Sequence, residues 1–297
     1  MFHLLCRTVD AVCGCCFVSW DKMANSKVAI VTGGNKGIGL AIVRALCKQF
    51  DGDVFLTARN DERGKEAVKL IESEGLKVKY HQLVIDDKKS IQQIQTFMTE
   101  TYNGIDVLVN NAAIALKMKD TTPFGEQAKV TLAANFFGTL DVLRMLLPTI
   151  KPNGRVVNVS SMAGASALGK CSAELQQVFR SDSITEKQLC ERMEEFIKYA
   201  QKGTHTEHGY PNTAYGVSKI GVTVLTIIQA RQLQKQEKNT ILVNCCCRGW
   251  VCTDMAGAKA PKTPDQVAET PVFLAMLPPG TTEPNGKFLF DKTVRPW

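Results

Sequence analysis

Several features that would place the chain in other classes of protein do not stand out in its sequence. Its Lys and Arg residues are not gathered into blocks with interleaved aromatic residues, so the formal charge of +7 does not indicate nucleic-acid binding. Two separated Cys/His pairs, as a zinc site requires, are not evident, and we predict no metal site. Internal repeats and low-complexity segments are lacking. The remaining composition, 44% hydrophobic and 22% charged residues, is typical of one globular domain.

The eleven cysteines show no regular framework of disulfide pairs. Cys13, Cys15 and Cys16 crowd the N-terminus, and Cys245, Cys246 and Cys247 are consecutive. Neighbouring residues in a strand point to opposite faces, which does not suit a set of regular bridges. We therefore predict reduced thiols and a cytoplasmic location.

Residues 1–22 differ from the rest of the chain. Asp10 interrupts a short apolar stretch, no clean small-residue cleavage site follows, and the segment is too short and too charged to span a membrane. Met23 begins a stretch that resembles an ordinary start. We predict an unstructured extension over residues 1–22 and a domain over residues 23–297; the alternative is acylation of its cysteines at a membrane surface.

Short apolar runs alternate with helical patterns along most of the chain. The predicted strands are Val28–Val31, Val54–Thr57, Val78–Ile85, Val107–Val109, Gly154–Ser160, Ile241–Cys246 and Phe288–Phe290. Continuous apolar strands separated by helices predict an α/β fold, a doubly wound parallel sheet of the Rossmann type. Residues 165–211 interrupt this alternation with charge-rich helical segments, which predicts a helical insertion within the single domain.

A glycine-rich turn follows the first predicted strand. Gly33, Gly37 and Gly39 allow a sharp turn and bring backbone N–H groups and a helix N-terminus close to a pyrophosphate. Arg59 ends the second strand, where NAD enzymes place an acid, and Lys36 lies in the glycine turn. Two cations at this position suit the 2′-phosphate of NADP(H). Alternatively, Arg59 caps a helix or faces solvent.

Tyr215 and Lys219 are four residues apart in a helical pattern, so both side chains lie on one face of the helix. The ammonium can lower the pKa of the phenol and make it a better proton donor and acceptor near neutral pH. Ser161 follows the fifth strand, at the edge where ligands bind in such sheets, and its hydroxyl can hold a carbonyl oxygen as charge develops on it.

With these residues the chain resembles the short-chain dehydrogenase/reductase family, and within it the monomeric, NADPH-dependent carbonyl reductases, which include hydroxysteroid-dehydrogenase-like members. The resemblance covers about residues 25–297. It is carried by five motifs, namely TGGNKGIG in the glycine turn, NNAA at Asn110–Ala113, NFFG at Asn135–Gly138, NVSS at Asn158–Ser161 and YGVSK at Tyr215–Lys219.

The resemblance implies a role for each residue of a catalytic set. Tyr215 would protonate the carbonyl oxygen, Lys219 would bind the nicotinamide ribose and tune Tyr215, Ser161 would orient the substrate, and Asn135 would hold a water that links Lys219 to solvent. Met162 and Trp250 would border the substrate. The implied cofactor site comprises Gly33, Asn35, Lys36, Gly37, Ile38, Gly39, Arg59, Val84, Ile85, Asn111, Tyr215, Lys219, Gly249, Val251 and Thr253.

The sequence also departs from the family pattern. Ala113 replaces a Gly, Val84 stands where these reductases have an Asp that binds the adenine amino group, and Arg248 replaces a Pro. Cys247 lies where some carbonyl reductases place a thiol beside the active-site mouth; the alternative is a buried small apolar residue. The long segment between Ser161 and Tyr215 resembles the one that covers the tetramer face in monomeric carbonyl reductases.

The resemblance implies NADPH-dependent reduction of quinones, aldehydes, ketones, prostaglandins or keto-steroids by a monomer. A nucleotide-sugar epimerase can share the Tyr/Lys pair, but the glycine spacing fits the short family, and the chain has no sizeable C-terminal sugar-nucleotide domain. A third hypothesis is an NADPH-binding sensor or scaffold with weak turnover, which Val84, Ala113 and Arg248 favour and the intact catalytic set opposes. The expected partner is a small carbonyl substrate, with neither nucleic acid nor a membrane span.

Overall fold

Among the residues that the structure describes, a central sheet of eight strands organises the fold. The computed structural model describes residues 26–116, 120–236, 240–247 and 264–297. The strands are β1 (Val28–Val31), β2 (Asp53–Ala58), β3 (Lys79–Gln82), β4 (Ile105–Asn110), β5 (Ile150–Ser160), β6 (Leu242–Cys247), β7 (Phe288–Phe290) and β8 (Thr293–Val294). Their order is β3-β2-β1-β4-β5-β6-β7-β8, and all neighbours are parallel except β7 and β8.

Helices connect the strands and cover both faces of the sheet. They are α1 (Gly37–Gln49), α2 (Asp61–Ser73), α3 (Lys88–Tyr102), α4 (Phe124–Leu132), α5 (Thr139–Leu146), α6 (Met162–Leu168), α7 (Ala173–Phe179), α8 (Glu186–Lys202), α9 (Ala214–Lys235) and α10 (Pro264–Ala275). A π-helical segment, Ala133–Gly138, joins α4 to α5, and a short 3₁₀ turn, Leu147–Thr149, leads into β5.

Side-chain alternation along the strands divides the interior into two cores. In β1, Val28 and Ile30 belong to the core under α3, α4 and α9, whereas Ala29 and Val31 belong to the core under α1 and α10. All four residues are buried, because a parallel sheet covered by helices has no solvent-facing side. The predicted doubly wound α/β fold is confirmed.

The third strand is shorter than the sequence pattern predicts. Apolar residues continue through Ile85, but the β2–β3 ladder ends at Ala58 and Gln82, where β2 itself ends. Beyond this point the Val84 N–H donates a hydrogen bond to Ser90 Oγ at 2.9 Å instead of to a neighbouring strand. The predicted strand Val78–Ile85 is therefore wrong in its length, because the neighbouring strand offers no further partners.

The helical stretch from Phe124 to Thr149 is long and apolar enough, by length and composition, to cross a membrane. Of its apolar window, 61% is buried within the fold. The sheet and α9 bury Leu132, Phe136, Leu140 and Leu143 of this stretch, which therefore contributes to the hydrophobic core.

Three helices, α6 to α8, lie between β5 and α9. Helix α8 begins at a capping box, in which the Thr185 hydroxyl accepts from the Gln188 N–H and Gln188 Oε1 accepts from the Thr185 N–H. It ends at Gly203, which has a φ of 75°. The buried face of α8 packs on α4 and α9, and a Cβ atom at Gly125 of α4 would lie 2.6 Å from Gln201 Cα.

Candidate active site

The carboxyl ends of the parallel strands bring most of the predicted site residues to one edge of the sheet. Gly33 follows β1, Arg59 follows β2, Asn111 follows β4 and Ser161 follows β5. The strand order reverses between β1 and β4, and ligands of doubly wound sheets bind in the crevice at such a switch point.

The glycine turn between β1 and α1 is tightly folded. Gly33 has a φ of 63° and Gly37 a φ of 55°, which side-chain-bearing residues rarely adopt. Helix α1 begins at Gly37 without a side-chain cap on its first turn. Because uncapped N–H groups and the helix dipole favour an anion, these residues fit the pyrophosphate of a dinucleotide.

Thr32 and Asn111 join the glycine turn to the end of β4. Thr32 Oγ1 accepts hydrogen bonds from the N–H groups of Asn111 and Ala112, each at 3.0 Å. The Asn111 amide donates in return to the carbonyl oxygens of Thr32 and Gly33, at 3.0 and 3.1 Å. Asn111 therefore braces the turn from the opposite side of the switch point.

Lys36 and Arg59 are exposed, Lys36 between β1 and α1 and Arg59 directly after β2. Arg59 directly follows the last residue of β2, and its carbonyl oxygen accepts from Gln82 Nε2 at 3.0 Å. That bond fixes the backbone of Arg59 against β3. The Arg59 side chain itself is exposed.

Val84 and Ile85 lie in the turn that follows β3. The Asp87 N–H donates to Val84 O at 3.1 Å, which closes this turn. A Cβ atom at Gly138 would lie 3.2 Å from Ile85 Cδ1, so Ile85 packs directly against the π-helical segment. The turn after β3 and the segment that holds Asn135 are thus in contact.

Ser161 is the N-cap residue of α6, and its Oγ accepts from the Ala163 N–H at 3.1 Å. This bond orients the hydroxyl at the end of β5, where Ser161 is half-buried. The adjacent Met162 side chain is 43% exposed. Ser161 and Met162 therefore lie together at the carboxyl edge.

Tyr215 and Lys219 occupy the first turns of α9. Thr213 Oγ1 caps this helix by accepting from the Gly216 N–H at 3.1 Å. Lys219 is only 3% exposed, and its Nζ donates to Val159 O of β5 at 2.7 Å. The same Nζ lies 5.7 Å from the centre of the Tyr215 ring. A buried cation therefore lies beside the half-buried phenol.

Asn135 lies within the π-helical segment and is buried. Its Oδ1 accepts from the Ile114 N–H at 2.7 Å, and its Nδ2 donates to Ile114 O at 2.9 Å and to Ser218 Oγ at 3.1 Å. Single π-helical turns inside α-helices frequently occur at functional sites. The side chain of Asn135 fixes the chain after β4 to the N-terminal part of α9.

Three consecutive cysteines form the second half of β6. Cys245 and Cys247 face one small cluster with Phe288, and Cys246 faces the core on the other side of the sheet. Burial raises the pKa of the Cys245 thiol to about 12 and that of Cys246 well above its ordinary value. Cys247, the last residue of β6, is also buried, in agreement with the apolar alternative.

The family of the chain follows from its sequence relatives. A profile of the family described as short chain dehydrogenase matches residues 27–173. The chain is 58% identical to carbonyl reductase (NADPH) 1 of Rattus norvegicus over 271 residues, which cover 91% of this chain and 98% of that protein. It is 57% identical to carbonyl reductase (NADPH) 1 of Homo sapiens, with the same coverage. The chain belongs to the short-chain dehydrogenase family.

Solved structures of other reductases share the fold of this short-chain dehydrogenase. Salutaridine reductase from Papaver somniferum is 26% identical, with a TM-score of 0.79 over 89% of this chain and 99% of its own. Menthone neomenthol reductase from Mentha piperita is 28% identical, with a TM-score of 0.73 over 89% and 98% of the two chains. The predicted family and fold are both confirmed.

Some residues of the predicted site lie outside the part of this short-chain dehydrogenase that the structure describes. They are Gly249, Trp250, Val251 and Thr253, together with Arg248 and the extension over residues 1–22. The structure also reveals participants that sequence reasoning missed, namely Thr32, Ser160 and Ser218. Each belongs to one of the five motifs but was given no role, and each makes hydrogen bonds to partners distant in the sequence.

Proposed function

We propose that this short-chain dehydrogenase is an NADPH-dependent carbonyl reductase that uses Tyr215, Lys219, Ser161 and Asn135. The observation that carries the proposal is the position of Lys219 Nζ, 5.7 Å from the centre of the Tyr215 ring and anchored on Val159 O beside Ser161. This arrangement supports the proposal that a proton donor, a cation and a carbonyl-orienting hydroxyl lie together at the edge where α/β sheets bind ligands.

In the proposed reaction each protein group acts on the substrate oxygen or its surroundings. The Tyr215 hydroxyl donates its proton to the carbonyl oxygen, and the Lys219 ammonium stabilises the phenolate that this step leaves. The Ser161 hydroxyl donates a hydrogen bond to the same oxygen as negative charge develops on it. NADPH, when bound, supplies the hydride that reduces the carbonyl carbon. The product is an alcohol.

The cofactor site is proposed to extend from the glycine turn to α9. Gly33, Asn35, Gly37, Ile38 and Gly39 would approach the pyrophosphate. Lys36 and Arg59 would bind the 2′-phosphate through charge-assisted hydrogen bonds. The remaining contacts would come from Val84, Ile85, Asn111, Tyr215, Lys219, Gly249, Val251 and Thr253. Because Val84 has no polar side-chain group, it offers the adenine only a hydrophobic contact.

We further propose a monomer located in the cytoplasm. Helix α8 packs over α4 and α9, and the Arg144–Glu186 ion pair at 2.8 Å joins α8 to α5. Glu186 also accepts from Gln229 Nε2 of α9 at 3.0 Å. These contacts support the proposal that α8 covers a helical face that is otherwise available for association.

The experiment that tests the proposed function follows NADPH oxidation by absorbance with the purified chain. The substrates should include a quinone, an aromatic aldehyde, a prostaglandin and a keto-steroid, with Tyr215→Phe as the matched control. We expect turnover of at least one class by the parent and its loss in the variant. Tight NADPH binding without turnover of any class would contradict the proposal and favour a sensor or scaffold.

A further inference from the structure

The backbone of Lys219 is held by two buried hydroxyl groups that no recognised motif assigns to the reaction. Ser160 Oγ donates to Lys219 O at 3.1 Å, and Thr223 Oγ1 donates to the same oxygen at 3.0 Å. The two hydroxyl oxygens are themselves 2.7 Å apart. Ser160 is the last residue of β5, and Thr223 lies one helical turn after Lys219. The three groups form a closed triangle between a strand and a helix.

Two hydroxyl protons serve the three short distances of this triangle, so its hydrogen bonds depend on both hydroxyls. Each hydroxyl has one proton, so the two cannot donate to Lys219 O and to each other at the same time. One hydroxyl donates to the carbonyl, and the other donates to its neighbour or shares the carbonyl. All three groups are buried. Removal of either hydroxyl therefore takes one hydrogen-bond partner from the other hydroxyl and leaves it with Lys219 O alone.

Two consecutive residues at the end of β5 connect to the same lysine. Val159 O accepts from Lys219 Nζ at 2.7 Å, Ser160 Oγ donates to Lys219 O, and Ser161 follows with the candidate substrate-binding hydroxyl. Gly164, in the first turn of α6, approaches so closely that a Cβ atom there would lie 2.9 Å from the Lys219 carbonyl carbon. The position of Ser161 is thereby tied to that of Lys219.

We infer that Ser160 and Thr223 are positioning residues for the carbonyl reduction. They fix the separation between Ser161, which directly follows β5, and the Tyr215–Lys219 pair, which lies on α9. The inference rests on the roles proposed above for Tyr215, Lys219 and Ser161. Neither hydroxyl touches the reacting atoms in this account; both act through the backbone of Lys219. A displacement of about 1 Å in such a site is enough to cost on the order of a hundredfold in rate.

Thr226 provides a matched control on the same helix. It is equally buried, its hydroxyl donates to Val222 O at 2.8 Å, and it accepts from Asn158 Nδ2 of β5 at 2.9 Å. It therefore makes the same kind of helix-to-strand connection as Thr223, one turn farther from Tyr215. The comparison of Thr223→Val with Thr226→Val separates positioning of Lys219 from general support of the fold.

The test measures kcat, KM, the NADPH dissociation constant and the pH profile for these two variants and for Thr223→Ser. We expect Thr223→Val to lower kcat by roughly ten- to a hundredfold with a smaller loss of NADPH affinity, because Lys219 is only one of the proposed cofactor contacts. Thr223→Ser should restore most of the rate. The alkaline limb of the Thr223→Val profile should move to higher pH, because a displaced Lys219 stabilises the phenolate less. Thr226→Val should leave kcat and the pH profile near those of the parent.

Equal kcat values for Thr223→Val and Thr226→Val, or failure of Thr223→Ser to restore the rate, would overturn the inference. Ser160→Ala provides a second measurement and should resemble Thr223→Val, and the double variant should lose little more than either single one. Full additivity of the two losses would also contradict a shared role. If Tyr215→Phe retained activity, the proposed function itself would fail; a normal loss in Tyr215→Phe with an unaltered Thr223→Val would reject only the positioning role.

Discussion

Gly39 in the first turn of α1 and Asn111 after β4 approach each other so closely that no side chain fits between them. A Cβ atom at position 39 would lie 2.5 Å from Asn111 Nδ2 and 2.1 Å from Gly33 O. Gly33 O of the glycine turn and the Asn111 side chain thus leave no room for a Cβ atom at position 39. Any substitution at Gly39 has to displace the turn that is proposed to bind the pyrophosphate.

We therefore expect Gly39→Ala to weaken NADPH binding by about a hundredfold or more, because the first turn of α1 moves away from the anion. Gly169→Ala is the control, since a Cβ atom there has ordinary contacts beyond 3.7 Å and its φ is −63°. Titration of NADPH by protein fluorescence checks both variants. Unchanged affinity in a folded Gly39→Ala protein would disprove the proposed role of the turn.

Arg59 should determine most of the preference for NADPH over NADH. A charge-assisted hydrogen bond contributes roughly 1.5–3 kcal/mol, so Arg59→Asp should reduce the NADPH/NADH ratio of kcat/KM by about tenfold or more. Arg295→Asp, an equal charge change beyond β8 at the opposite edge of the sheet, is the matched control. If Arg59→Asp and Arg295→Asp had the same NADPH/NADH ratio of kcat/KM, the assignment of Arg59 to the 2′-phosphate would be wrong.

The sequence predicts those parts of the fold in which local and tertiary preferences agree. Helix α2, Asp61–Ser73, follows the second predicted strand as the alternating pattern predicts, and the Asn60 side chain caps its start by accepting from the Arg63 N–H. Strand β7 also agrees with its prediction. The third strand was predicted too long because strand length depends on the neighbouring strand, and apolar spacing contains no information about where β2 ends.

Hydrogen-bond partners in the site were less predictable than the residues themselves. The spacing of Tyr215 and Lys219 indicates a shared helix face, but it does not reveal that Lys219 Nζ bonds Val159 O, sixty positions earlier in the chain. Ser160 and Ser218 belong to the NVSS and YGVSK motifs, but the sequence does not show which groups their hydroxyls contact. Their contacts arise from the register between β5, the π-helical segment and α9, which only the folded chain defines.

The chain should be monomeric at micromolar concentration, with the 32.6 kDa mass of one copy. Helix α8 buries Leu189, Met193 and Phe196 against its neighbours and exposes its charged face. A second copy would therefore meet a polar surface at this position. Stable association instead requires an apolar interface core. Multi-angle light scattering measures the mass directly, and a stable tetramer would refute the proposal.

Stability should fall at alkaline pH as the unfolded state loses protons that the folded state keeps. Burial raises the pKa of Cys245 to about 12 from its ordinary 9.0, so the unfolded thiol ionises first as pH rises. Above about pH 9 each such group should lower the free energy of unfolding by about 1.4 kcal/mol per pH unit, up to its folded pKa.

Urea unfolding between about pH 8 and pH 11 measures this slope. Cys245→Val removes one of the contributing thiols, and we expect a shallower decline in this variant whatever its absolute stability. Part of the slope should remain, because Cys246 is also buried with a raised pKa and burial raises the pKa of Tyr80 to about 12. An identical slope in parent and variant would contradict the assignment to Cys245.

The most direct test of the central claim is single-turnover hydride transfer in Tyr215→Phe, with NADPH binding measured on the same sample. The phenylalanine keeps the ring beside Lys219 but removes the proton. A positioned general acid contributes about 10²–10⁴-fold, so we predict a loss of that size with NADPH affinity retained. A transfer rate within about threefold of the parent would contradict proton donation by Tyr215 and, with it, the mechanism proposed for this chain.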